Sequence, residues 1–232
     1  MDMRRIIAAA IVVGLWLLPV PSSAQPVPGS PADAARPPAA SGERARVDGF
    51  RNAKWGMTEA QVKTVIANDF KIPADKLKSE PNVNEKTTVL SISVPDLVDG
   101  AGIARVSYIF GYTTKKLIQV NIAWGTPVDP QAKPELVVAA ANQLRQLFLD
   151  AGYEPGSIIS NARASDGAVV VFGGEDADKH TTLLRLVSAQ APADKEAKES
   201  GDAKSAAVTA LYLSYIMDGR NPDIFKLKKG QF

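Results

Sequence analysis

The sequence predicts an α+β fold in which two αβββ units form a largely antiparallel sheet with helices packed on one face. Segments with helical apolar spacing and segments with strand-like alternation follow one another in the order helix, three strands, helix, three strands. Most connections between the strand segments are too short for the crossover that parallel strands require. Because such strands bury one face on the helices, we expect the other face of the sheet to be open to solvent or to a partner.

The first unit, residues 48–126, opens with a strong helix start. Thr58 is a good N-cap, and Gln61 completes a capping box with it. The apolar residues that follow recur at helical spacing on one face: Val62, Val65, Ile66 and Phe70. Three strands are predicted next, over residues 88–94, 103–112 and 116–124, and the last two are close enough to form a hairpin.

The second unit, residues 127–218, repeats this order. Asp129 and Pro130 predict an N-cap and a proline at the first helical position, and Gly152 is placed to end the helix after Ala151. Strands are predicted over residues 168–172, 181–188 and 207–217, with an inserted loop or exposed helix over 192–205. The repeated order predicts an internal duplication within one domain, residues 48–218.

The N-terminal residues have the order of a secretory signal peptide. Arg4 and Arg5 precede an apolar run over residues 6–18, and Ser22 and Ala24 suit the positions before a signal-peptidase cut. The run is shorter than the ~20 residues of a membrane-spanning helix, which argues against the alternative of an uncleaved anchor. We predict that residues 1–24 are removed near Ala24, and that the mature protein is periplasmic or secreted without a transmembrane segment.

The segments that flank the domain differ from it in composition. Residues 25–47 are rich in Pro and Ala and predict a disordered linker, because they hold too little apolar surface to form a core. Residues 219–232 predict a basic C-terminal tail, in which four cations outnumber one acid: Arg220, Lys226, Lys228 and Lys229 against Asp223. We expect a solvated tail, and the alternative is contact with an acidic partner or an anionic membrane surface.

Composition excludes several kinds of site. The 232-residue chain has no cysteine and one histidine, His180, so it cannot form a disulfide, a thiolate metal site, a cysteine nucleophile or a multi-histidine metal site. A formal net charge of +2 gives no reason to expect nucleic acid as a partner. We predict no cofactor and no metal site.

Residues 55–62 carry a resemblance to known exported proteins. The run, at the start of a helix that precedes a three-stranded meander, is Trp55-Gly56-Met57-Thr58-x-x-Gln61-Val62. It resembles the start of the small lipoprotein subunit of the bacterial β-barrel assembly machinery, and the tandem helix-and-sheet order is similar to the β-lactamase-inhibitor-protein-like fold. The resemblance implies a non-catalytic protein that presents sheet and loop surfaces to partner proteins. This chain departs from those groups in lacking a lipidation cysteine and in having one clear helix per unit, so no functional residues are carried over.

The densest polar cluster is the loop over residues 173–180. Its acids, Glu175, Asp176 and Asp178, would supply oxygen ligands to a hard cation, and Glu175 or Asp178 would orient His180 for acid–base chemistry. The alternative, which we favour, is a solvated hairpin loop, because a usable base needs a nucleophile in a cleft and the chain has no Gly-x-Ser-x-Gly motif.

Aromatic residues mark the predicted strands. Tyr108, Phe110 and Tyr112 share one strand face, Trp124 ends the next strand, and Tyr212 and Tyr215 fall on opposite faces of the last. If they lie on the open face, Tyr108, Tyr112 and Trp124 form a contact surface of the kind found at protein interfaces. The alternative is that these side chains belong to the core.

Together these observations predict an exported, non-catalytic binding or protein-interaction module. Its partner would be another envelope protein or a small ligand. The alternative function is an envelope hydrolase that uses His180 with Glu175 or Asp178.

Overall fold

The structure, a computed structural model, describes residues 44–190 and 207–226. The predicted signal peptide, most of the predicted linker, the predicted insertion over 192–205 and the last residues of the tail lie outside the described residues. Within the described ranges, no helix is long and apolar enough to cross a membrane.

The described chain has the predicted α+β class. An eight-stranded antiparallel sheet, two α-helices and a small two-stranded sheet make up its regular structure. The helices are α1 (Glu59–Phe70) and α2 (Pro134–Asp150). The strands are β1 (Gly49–Phe50), β2 (Ala53–Lys54), β3 (Ser79–Asn82), β4 (Thr87–Pro95), β5 (Ile103–Phe110), β6 (Leu117–Gly125), β7 (Ile159–Arg163), β8 (Val169–Glu175), β9 (Thr181–Gln190) and β10 (Ala207–Ile216).

The large sheet has the order β3-β4-β5-β6-β10-β9-β8-β7, and β1 pairs with β2 separately. Each half of the large sheet is therefore a four-stranded meander, and the two meanders meet where β6 pairs with β10. The sequence predicted three strands per half and missed β3 and β7. Both are edge strands with exposed, largely polar residues, so they lack the alternation that identifies a half-buried strand.

Helix α1 begins as its sequence predicts. The Gln61 amide donates to Thr58 Oγ1 at 3.3 Å, and the Thr58 amide donates to Gln61 Oε1 at 2.9 Å, which confirms the capping box. Within the helix, Val62 and Ile66 are fully buried. The helix ends at Phe70, and the C-cap residue Lys71 takes a left-handed conformation with a φ of 58°.

Helix α2 begins later than predicted. Pro134, not Pro130, is its first residue, and Lys133 takes the N-cap position without a side-chain bond. Asp129 instead stabilises a separate turn after β6, in which its carboxylate accepts from the Gln131 amide at 2.9 Å. Both prolines suit the first position of a helix, so sequence alone does not distinguish them.

The core lies between the two helices and one face of the sheet. Both helices contribute to a single buried cluster, in which the inner-face residues of the strands alternate with outward-facing ones. The largest fully buried side chains include Trp124, Tyr108, Phe110 and Phe172. The helices therefore cover one face of the sheet, here called the inner face, and leave the other, the outer face, without a helix from the described residues.

The folded domain starts before residue 48. The Ala45 amide donates to the Gly152 carbonyl at 3.0 Å, and Val47 is buried. Residues 45–47, predicted as linker, are thus packed against the domain. Their contacts join residues more than 100 positions away in sequence, which local composition does not reveal.

Candidate functional site

The polar loop is shorter than predicted and is built around Asp176. Gly173 and Gly174 lie within β8, so the turn between β8 and β9 consists of residues 176–180. The Asp176 side chain is only 1% exposed. Its Oδ1 accepts from the amides of Asp178 and His180, each at 2.9 Å, and its Oδ2 accepts from the Val47 amide at 2.8 Å.

The partner of His180 is Asp176, which corrects the predicted pairing with Glu175 or Asp178. His180 Nδ1 lies 3.1 Å from Asp176 Oδ2. Both carboxylate oxygens of Glu175 instead accept hydrogen bonds from Arg220, at 3.0 and 3.1 Å. The Asp178 side chain is exposed. The Trp55 ring lies 6.1 Å from the His180 ring and donates its Nε1–H to the Val47 carbonyl at 2.6 Å.

This arrangement holds the turn and the N-terminal segment in place. Within the described ranges, no hydroxyl group hydrogen-bonds to the His180 ring, so the described residues bring no nucleophile to the acid–histidine pair. Asp176, Asp178 and His180 do place ligand atoms within 4.8 Å of one another. Asp176, however, already uses both oxygens to accept hydrogen bonds, which leaves it poorly suited to bind a cation.

Two of the predicted aromatic contacts, Tyr108 and Trp124, are on the inner face. Tyr108 is 0% exposed and Trp124 1% exposed. The register explains this, because Tyr108 pairs with Val120 and Trp124 with Leu211, all on the side covered by the helices. Burial raises the pKa of the Tyr108 hydroxyl, which has no hydrogen-bond partner among the described residues. The prediction that these two side chains meet a partner on the open face is wrong.

Tyr112 lies beyond the end of β5, in the turn that leads to β6. It is 36% exposed, and its ring packs edge-on against Phe225 at 5.6 Å. It is therefore at one end of the sheet and not on the outer face.

The outer face presents a different aromatic residue, Tyr212, which is 38% exposed. The register places it in a row that crosses five neighbouring strands: Ser93, Arg105, Ala123, Tyr212 and Arg185. The next row is largely polar: Ser91, Ser107, Asn121, Ser214 and Leu183. All of these side chains are exposed or half-buried. The alternation of Leu211, Leu213 and Tyr215 against Tyr212 and Ser214 was the sequence signal for this face.

The row continues into a groove of about 460 Å³ near the β3 edge, where Lys76 and Lys78 join Arg105. The edges themselves are poorly suited to strand addition. Pro81 lies within β3 and removes an amide donor, and Asn161 gives β7 an irregularity with a φ of 54°. Among the described strands, the outer face is therefore less obstructed than either edge.

Comparison with known proteins adds no relative: no family model, no curated protein and no solved structure matches this chain. The resemblance of residues 55–62 to the small subunit of the barrel assembly machinery, and of the element order to the β-lactamase-inhibitor-protein-like fold, stays a prediction.

Proposed function

We propose that this protein is an exported, non-catalytic binding module whose outer sheet face binds a partner protein in the bacterial envelope. The observation that carries the proposal is the row of Arg105, Ala123, Tyr212 and Arg185 across the centre of that face. Tyr and Arg are the residue types that, with Trp, most often dominate the binding energy of protein interfaces.

The environment of Tyr212 supports this role. Its neighbour on β6 is Ala123, a small residue that leaves one side of the ring open, and its neighbour on β9 is Arg185, which forms an ion pair with Asp166. Arg105 forms no ion pair with any described carboxylate and is exposed. Serine and asparagine side chains of the adjacent row would supply a polar rim.

The competing hydrolase hypothesis has less support. His180 is held by Asp176 at the end of the sheet, and Tyr212 and Arg105 lie on its outer face, so the polar turn and the aromatic row do not form one site. The hydrolase remains the alternative, and it requires a nucleophile that the described residues do not bring to His180.

We also infer that the sheet consists of two copies of one helix-and-meander unit. Each half has a helix, a short 3-10 turn and four consecutive strands, and the strand order is mirrored about the β6–β10 pair. A set of relatives in which only one half keeps this order would count against the duplication.

Binding to solubilised envelope proteins of the native host tests the proposed function. The mature chain is compared with Tyr212→Ala and with Leu136→Ala, a control on the solvent side of α2 at a similarly exposed site. Loss of a central aromatic contact of about 2 kcal/mol predicts an affinity about 30-fold lower for Tyr212→Ala, with the control unchanged. Equal binding by both variants to a partner of the wild type would overturn the use of this face.

A second pair of variants distinguishes the hydrolase from the binding module. If the protein were a hydrolase, His180→Ala would abolish turnover in a substrate screen with the fold intact, as judged by circular dichroism. For the binding module, neither His180→Ala nor Asp178→Ala changes partner affinity, because neither residue lies on the outer face.

A further inference from the structure

The first part of the C-terminal tail is folded against the sheet. After β10, the Met217 amide donates to the Ile118 carbonyl at 3.0 Å, and the chain then crosses to the turns at the end of the first meander. There the Tyr112 amide donates to the Asp223 carbonyl, and the Phe225 amide to the Glu85 carbonyl, each at 2.8 Å. Residues 219–226, the described part of the predicted tail 219–232, are thus attached to the domain, whereas the sequence predicted a solvated segment.

Asp223 fixes this segment to the β5–β6 turn. Its carboxylate accepts from the Thr113 amide at 2.9 Å, from the Thr114 amide at 2.9 Å and from Thr114 Oγ1 at 2.7 Å. Burial alone would raise the pKa of Asp223, but these hydrogen bonds outweigh it and lower the pKa to about 2. The Asp223 carboxyl is therefore ionised at physiological pH and able to accept these hydrogen bonds.

The attached tail places an aromatic pair among lysines. The Lys86 ammonium lies 3.7 Å from the centre of the Phe225 ring, and the Lys115 ammonium lies 5.4 Å from that of Tyr112. Both lysines sit at turn positions with φ of 53° and 55°, where Gly or Asn is usual. The turns are thus strained at the two residues that bring positive charge to the aromatic pair.

The same end of the sheet carries a protruding apolar side chain. Val83, in the β3–β4 turn, is 83% exposed, the most exposed large apolar residue in the described part of the chain. Four lysines share this end and have no described carboxylate within 4.0 Å: Lys86, Lys115, Lys116 and Lys226. We call Val83, Tyr112, Phe225 and these four lysines the hairpin end.

From this geometry we propose that the hairpin end binds the surface of an anionic phospholipid bilayer. Lysines attract anionic headgroups, aromatic rings occupy the boundary between headgroups and acyl chains, and an exposed Val83 would insert below them. The proposal rests on residues outside the Tyr212 row, so its test does not depend on whether the proposed function is correct.

A bilayer fits these residues better than an acidic protein does. The apolar group protrudes at the tip of a turn and does not line a groove, whereas protein interfaces usually receive apolar side chains in pockets. A membrane contact here would leave the outer face free for its partner.

Sedimentation with lipid vesicles tests the proposal. The mature full-length chain is mixed with phosphatidylcholine vesicles that contain either no phosphatidylglycerol or 30% phosphatidylglycerol by composition, in about 50 mM salt. We expect binding to the anionic vesicles only, and binding that weakens as salt is raised. Equal binding to both vesicles, or none to either, would overturn the proposal.

Matched lysine variants locate the contact. Removing two charges at ~1 kcal/mol each predicts affinity about 30-fold lower for the double variant Lys86→Gln with Lys115→Gln. The control is Lys71→Gln with Lys133→Gln, which removes the same charge from the C-cap of α1 and the N-cap of α2, outside the hairpin end, and should leave binding nearly unchanged. Equal losses in both double variants would show a nonspecific charge effect and contradict the assignment.

A third variant distinguishes insertion from charge attraction. Val83→Ser keeps the charge and, because the side chain is exposed, the fold. Loss of roughly 1.5 kcal/mol of apolar burial predicts affinity about tenfold lower for anionic vesicles. If Val83→Ser binds the vesicles as tightly as the wild type does, Val83 does not insert and the membrane proposal is wrong. If, in addition, an acidic polypeptide displaces the vesicles from the wild type, the partner of the hairpin end is a protein.

Discussion

Replacing Asp176 by alanine should destabilise the domain more than any other single change in the polar turn. The carboxylate is buried and accepts hydrogen bonds from the amides of Val47, Asp178 and His180 and from the His180 ring. Alanine removes every one of these acceptors at once. The N-terminal segment would then lose its bond to the β8–β9 turn.

The expected loss of stability depends on which of these donors can form a hydrogen bond to water once the carboxylate is removed. The Val47 amide is buried, so leaving it unpaired costs about 1–3 kcal/mol, whereas the donors in the half-exposed turn regain part of their hydrogen bonding from solvent. We therefore expect a total loss of about 3 kcal/mol in the free energy of unfolding. For a domain of this size, at ~2–4 °C per kcal/mol, the melting temperature should fall by roughly 6–12 °C.

Thermal and urea unfolding of Asp176→Ala and Asp178→Ala measure this difference. Asp178 lies two residues away in the same turn, but its side chain is exposed, so its removal should change stability by less than ~0.5 kcal/mol. If the two variants lose the same stability, or if Asp176→Ala loses less than Asp178→Ala, Asp176 does not hold the turn and the assignment is wrong.

Three other predictions test separate parts of the fold. Thr58→Ala should cost about 1 kcal/mol of unfolding free energy, because it removes the N-cap of α1, and an unchanged urea midpoint would contradict the capping box. Tyr108→Phe removes a buried hydroxyl without a partner and should leave the melting temperature equal or higher, whereas Tyr153→Phe removes a 2.7 Å bond to Thr182 and should cost about 1 kcal/mol; the reverse order would refute the hydrogen-bond assignments. Because folding lowers the pKa of Asp223 from 3.8 to about 2, its contribution is complete above pH ~4 and is lost as pH falls towards 2. Urea unfolding between pH 2 and 5 should show this loss in the wild type and less of it in Asp223→Asn, and identical pH profiles would count against it.

Sequence patterns predicted the elements whose cause is local. The Thr58–Gln61 capping box and the β5–β6 hairpin depend on neighbouring residues and agree with the structure. The edge strands β3 and β7 were missed because an edge strand with two exposed faces has no apolar alternation to detect.

The candidate site was harder to predict because its contacts are long-range. The predicted loop contains three acids, and Asp176 is the one that bonds to His180. Asp176 is held in that position partly by Val47, which is distant in sequence. The position of Tyr108 was available in principle, since Arg105 and Ser107 mark the opposite face of β5 as polar. That alternation shows that the face of Tyr108 and Phe110 is the one covered by helices.

Site-specific photo-crosslinking in the native host tests the outer-face account most directly. A photoreactive phenylalanine analogue placed at Tyr212 should yield a discrete adduct with one envelope protein, and the same analogue at Leu136, on the solvent side of α2, should not. Substituting Arg105→Ala in the crosslinking chain should reduce the yield of that adduct, because Arg105 shares the row with residue 212. Adducts that form from position 136 and not from position 212 would contradict the claim that the outer face binds the partner.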